Sequence, residues 1–171
     1  SYFRGLGLVN INARPLTALV NVMIPDFGGG SFGCTAGSTI PSTDRLQPFD
    51  NAAFMPAGTL GGAFPPGDWI VFGQGAAVDY AYDGDVVFHE FTHAVMDTIT
   101  TLGFALPDTY GLNPTPGGMQ EGFPDYFSSA ITGDSEVGEY AGTAVTSPIS
   151  PPSGAIRSLV NTTHCPESLW G

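Results

Sequence analysis

The fold of this chain turns on Asp85-Val86-Val87-Phe88-His89-Glu90-Phe91-Thr92-His93-Ala94-Val95-Met96-Asp97. The stretch contains His-Glu-x-x-His, and on a helix the imidazoles at i and i+4 leave the same face, within reach of one metal ion. Imidazole nitrogen suits zinc, and the neighbouring carboxylate of Glu90 can take a proton from water that the metal has acidified. Val86, Val87, Phe91, Ala94, Val95, Ile99 and Leu102 form a wide apolar arc at helical spacing, which predicts a buried helix over residues 85 to 102. Asp83-Gly84-Asp85 supplies capping chemistry at its start, and Gly103 stands where a stop is expected.

Composition narrows what such a helix can serve. The 171 residues carry 16 Asp or Glu against 4 Lys or Arg, a net charge of −12. So few cations cannot neutralise a run of phosphates, so nucleic acid is not expected as a partner. Glycine (24) and proline (15) imply a loop-rich fold, yet 42% hydrophobic residues is too apolar for disorder, so the loops are expected to pack on one core. No apolar run reaches the ~18 residues of a membrane span, and a membrane is not expected as a partner. Cys34 and Cys165 lack the clustered spacing of a structural zinc site; one disulfide in an oxidising, secreted setting is preferred over two buried thiols. No basic-then-apolar leader opens the sequence, so a secreted chain would have lost its export signal. The missing initial Met points to processing or excision.

Outward from the helix, Pro15 to Ile24 reads as a strand rich in β-branched residues, and Asn51 to Met55 and Trp69 to Phe72 as short strands bounded by Pro56, Gly67 and Gly73. Tyr2-Phe3-Arg4 looks like the end of a helix. The proline-rich stretch from Ala105 to Gly118 is expected to be a loop, and residues 155 to 160 a helical turn or two. Gly118 to Ile131 is predicted as a second helix with Glu121 and Asp125 on one face; Pro124, tolerated only in a first turn, moves its expected start towards Glu121.

A catalytic zinc takes three protein ligands, so two histidines require a third donor, either His164 or an acidic residue on a neighbouring helix. A compact motif with a third histidine six residues on is excluded, because Met96 and Ile99 occupy the required positions.

His89-Glu90-Phe91-Thr92-His93-Ala94-Val95-Met96-Asp97 followed by Glu121-Gly122-Phe123-Pro124-Asp125-Tyr126 resembles the gluzincin metalloproteases, in particular the thermolysin and fungalysin group. The resemblance implies Glu121 as third zinc ligand and Asp125 as the partner of His89. It also implies a zinc-dependent endopeptidase with Glu90 as general base and a peptide or protein as substrate. The expected fold is α+β, a twisted, mostly antiparallel sheet packed on the zinc helix. Residues 1–171 would then form a single catalytic domain, shortened at both ends, its C-terminal lobe absent or held as a separate chain. Asn51-Ala52-Ala53-Phe54 is similar to the edge strand that pairs with extended substrate. Asp134 to Glu139 is similar to the group's calcium segment, which with Asp85 implies a calcium site of Asp85, Asp134, Glu136 and Glu139; an acidic surface loop is the competing reading. Tyr110 is the candidate phenol for polarising the oxyanion. The family's transition-state histidine has no counterpart, and His164, in a Cys-Pro loop, does not fit that role. A catalytically incomplete zinc-binding lobe that docks peptides or a partner is therefore the rival expectation.

Overall fold

The computed structural model describes residues 2–8, 15–25, 46–59, 65–103, 105–143 and 153–160. In chain order the elements are α1 (Tyr2–Gly5), β1 (Leu16–Pro25), β2 (Leu46–Pro48), β3 (Ala52–Met55), β4 (Asp68–Gly73), a 3-10 turn (Tyr80–Tyr82), α2 (Gly84–Asp97), β5 (Leu106–Asp108), β6 (Gly111–Asn113), α3 (Thr115–Thr132), β7 (Glu136–Val137), α4 (Glu139–Gly142) and β8 (Arg157–Ser158). This is a mixed α+β arrangement. Its largest sheet has the order β2-β1-β4-β3 and is mostly antiparallel: only the β1–β4 pairing runs parallel.

β1, β3 and β4 form where β-branched and aromatic residues predict them. β1 carries a register shift between Leu19 and Val22, and Asn21 takes up the extra residue at φ 57°, a left-handed conformation that asparagine tolerates. In β4, Ile70, Val71 and Phe72 are almost wholly buried. The strand ends at Gly73, where a Cβ would stand 1.6 Å from the Phe49 carbonyl oxygen, so no other residue fits. Ile70 and Phe72 pack with Ala52, Val78, Tyr80, Val86 and Ala141 into the core, on which Phe91 and Val87 of α2 close.

Helix α2 starts as its capping residues require. The Asp83 carboxylate accepts from the Asp85 and Val86 amides and, through its other oxygen, from the Ala141 amide at 2.7 Å. Asp85 accepts from the Gly138 amide at 3.2 Å, while its carbonyl accepts the Ser128 hydroxyl at 2.9 Å. The start of α2 is thereby tied to α3 and α4. The helix ends at Asp97 and does not run on to 102. The Thr98-Ile99-Thr100-Thr101 run is β-branched, the Thr98 hydroxyl turns back to the Val95 carbonyl at 2.6 Å, and Ile99 is 59% exposed, so no buried face holds further turns.

Three further expectations are corrected. The stretch 105–118 is a β5–β6 hairpin turning at Thr109-Tyr110, where the Asp108 carboxylate accepts the Tyr110 amide at 2.7 Å, and α3 already begins at Thr115 with Pro116 in its first turn. Pro124 lies inside α3, fully buried, and does not mark its start. It shares a face with Glu121, Asp125 and Ser128, the face turned to α2, and packing there offsets the lost backbone hydrogen bond. Residues 157–158 form a strand, β8, which pairs Glu136 with Ser158 and Val137 with Arg157. Close backbone approach makes this possible: a Cβ on Gly142 would sit 2.1 Å from the Gly154 carbonyl oxygen. The short α1 docks Phe3 between Phe91 of α2 and Phe127 of α3, with ring centroids 6.0 and 5.3 Å away. Cys34, Cys165 and His164 lie outside the described residues.

Asp83 both caps α2 and anchors α4. Asp83→Ala should therefore lower stability by about 3 kcal/mol, the sum of a lost cap and an orphaned buried amide. Urea unfolding reads this directly, and a loss under about 1 kcal/mol would contradict the double role.

Candidate metal centre

Two helices bring the site together. The i, i+4 spacing of α2 puts His89 and His93 side by side, with Nε2 atoms 3.0 Å apart. The same spacing on α3 presents Glu121 and Asp125 to them. Glu121 Oε2 lies 3.3 Å from His89 Nε2 and 3.7 Å from His93 Nε2. These separations match three corners of a tetrahedron around an ion with bonds of about 2.0–2.1 Å, for which edges of about 3.3 Å are required. Among the described residues, His89, His93 and Glu121 are the one group of three His, Cys, Asp or Glu donors able to hold a metal ion.

The remaining nitrogen of His89 is also engaged. Its Nδ1 stands 2.7 Å from Asp125 Oδ1, an arrangement that fixes the ring and leaves Nε2 aimed at the metal position. Arg157 then grips Asp125 with a two-pronged contact, Nε to Oδ2 at 2.5 Å and Nη2 to Oδ1 at 2.8 Å. A line of contacts therefore runs from β8 through α3 to α2. Burial and charge compete along it. Burial disfavours the His89 imidazolium, but the hydrogen bonds it donates to Asp125 and Glu121 outweigh this and raise its pKa to about 9. Burial likewise works against the Asp125 and Glu121 carboxylates, yet His89 with Arg157, and His89 with His93, hold them below the usual range. Glu90 goes the other way: burial raises its pKa more than His89 and His93 lower it, and the Phe54 backbone N–H donates to its carboxylate.

The donors open onto a cavity of about 640 Å³. Glu90, His89, His93, Glu121 and Arg157 line it, and so do Asn51, Ala52, Ala53 and Phe54, the residues expected to bind substrate. β3 is the edge strand of its sheet, paired on one side with β4 alone among the described residues.

Other expected site residues lie elsewhere. Tyr110 sits at the hairpin tip, 98% exposed, and does not line the cavity. The four carboxylates expected to hold calcium do not form one donor group among the described residues. Asp85 and Glu139 are within hydrogen-bond reach of each other, which raises the Glu139 pKa. Asp134 instead accepts the Glu136 amide, and Glu136 accepts the hydroxyls of Ser153 and Ser158 at 2.5 and 2.7 Å. Arg157 is the residue that sequence reasoning missed. Its signal was scarcity, because a chain with 4 Lys or Arg and 16 Asp or Glu has few cations to place beside a buried acid.

If Arg157 orients Asp125, then Arg157→Gln should weaken metal binding about tenfold or more, with Asp125→Asn at least as damaging, as read by competition with a chromogenic chelator. Equal affinity in wild type and both variants would remove the Arg157–Asp125–His89 line from the metal site. Comparison with models of known families, with characterised proteins and with solved structures returns no match, so the chemistry of this centre is argued from its own geometry.

Proposed function

We propose that this chain is a zinc-dependent endopeptidase, or the lobe of one that carries the metal centre. The observation behind the proposal is the convergence of His89, His93 and Glu121 in an open cavity, with Glu90 beside them and an edge strand along one wall. Two imidazoles and one carboxylate suit zinc, whereas calcium and magnesium prefer all-oxygen shells. When bound, the metal would polarise the scissile carbonyl and acidify water. Glu90, its proton affinity raised by burial, takes the proton of the attacking water and delivers it to the leaving amine. No covalent intermediate on the protein is needed. The edge of β3, unpaired among the described residues, offers backbone pairing to an extended peptide, which holds substrates largely regardless of sequence. Val86, Val137 and Ile156 line part of the cavity and suit an apolar side chain there. The likeness of the two helix motifs to the gluzincins supports the same reading.

Tyr110 favours a second reading. With its phenol in solvent, and no described histidine but His89 and His93 along the cavity, a lobe that holds zinc and peptide yet turns over slowly also accounts for the geometry.

Glu90→Gln decides between them. It should keep one zinc per chain while hydrolysis of an unfolded protein falls by about 10²–10⁴. Undiminished hydrolysis would remove Glu90 as base, and a zinc-loaded wild type without hydrolysis would favour the scaffold. Tyr110→Phe should leave the rate within about twofold, since loss of a working oxyanion donor costs about a hundredfold or more.

A further inference from the structure

Strand β3 lines the cavity, and its backbone groups alternate between two directions. The Gly73 amide donates to the Asn51 carbonyl at 2.9 Å, and the register continues with Ala53 opposite Val71 and Met55 opposite Trp69. Residues 51, 53 and 55 therefore turn their backbone groups towards β4, while the two-residue period of a strand turns those of Ala52 and Phe54 to the outer edge. Both outward N–H groups are already engaged. The Ala52 N–H donates to Asn51 Oδ1 at 2.9 Å, and the Phe54 N–H donates to the Glu90 carboxylate. The carbonyls of Ala52 and Phe54 have no partner among the described residues, and two residues of strand set them about 6.8 Å apart.

We propose that the β3 edge selects an extended peptide by its N–H donors alone, and so refuses a segment with proline at either of two positions two residues apart. The inference rests on the reading of the cavity as a peptide groove and adds what that peptide must present. Ordinary strand addition exchanges N–H and C=O groups in both directions, whereas this edge offers acceptors while its donors are held by Asn51 and Glu90. In either strand direction, the N–H groups that meet the Ala52 and Phe54 carbonyls belong to alternate residues of the peptide, and the N–H of the residue between them points away. Proline has no N–H to give, and its ring would stand against the carbonyl. The same pattern closes the edge to a second copy of this chain. Two such edges would bring acceptor against acceptor, between molecules that each carry a net charge of −12.

The test uses the zinc-loaded Glu90→Gln protein, whose side-chain amide oxygen still accepts the Phe54 N–H, and a fluorescent, alanine-rich octapeptide with a central leucine. A single N-methyl group is moved along the peptide one residue at a time, and binding is read by anisotropy. Two positions, two residues apart, should each weaken binding about tenfold, while the position between them stays within about twofold of the parent. Asn51→Ala frees the Ala52 N–H and should tighten the unmethylated peptide about threefold, whereas loss of a merely structural asparagine would weaken it. An even loss along the peptide, no loss at any position, or an affinity unchanged or lowered by Asn51→Ala would overturn the proposal. If the alternation is found but zinc-loaded wild type does not cleave the unmethylated peptide, the peptidase reading falls and the donor requirement stands. Cleavage of that peptide without any alternation in binding has the reverse meaning.

Discussion

The contact on which the rest depends is the Asp125 carboxylate, shared between the imidazole of His89 and the guanidinium of Arg157. A carboxylate this buried is costly unless each oxygen has a partner, and here the partners come from two other elements. The requirement for pairing therefore fixes three things together: how α3 lies on α2, where β8 must run, and which nitrogen of His89 faces the metal position. Removing either partner leaves a charge stranded in the helix interface, which is why positioning and stability cannot be separated at this point.

The candidate metal centre is a place where like charges are gathered against their preference. Glu90, Glu121 and Asp125 lie around two histidines, and without a cation the protein responds by holding a proton on His89. A divalent ion would replace that proton and relieve the repulsion, so metal binding and helix packing reinforce each other. Glu90 remains distinct because it is buried by the β3 edge and receives an amide from that strand, not from a cation. Glu90 is thus the carboxylate whose charge is least compensated, while hydrogen bonds to His89, His93 and Arg157 hold Glu121 and Asp125 below the usual range.

Much of this was legible locally. The capping by Asp83, the i, i+4 pairs of α2 and α3, the β-branched strand β1 and the burial of β4 all follow from spacing and residue type, because each depends on neighbours only a few residues away. The errors came where a local rule met a tertiary contact. Pro124 would end an isolated helix but is carried inside α3 by packing on α2. The prolines around Tyr110 suggested a loop, whereas a register of three residue pairs makes a hairpin. Residues 155–160 have helix-compatible composition, yet pairing with residues 136–137 draws Arg157 and Ser158 into a strand.

The sequence by itself determined the donors: His89 and His93 must share a face, and Glu121 and Asp125 must share another, since an α-helix admits no other arrangement at that spacing. It also determined the electrostatic character of the molecule through its excess of carboxylates. Only the tertiary structure decided that the two faces meet with donor atoms 3.0 to 3.7 Å apart, that Arg157 locks Asp125 from 32 residues away, and that Tyr110 points to solvent. Those outcomes depend on chain closure between distant segments, for which no local period exists; they are set by which buried charges can find partners once the core has formed.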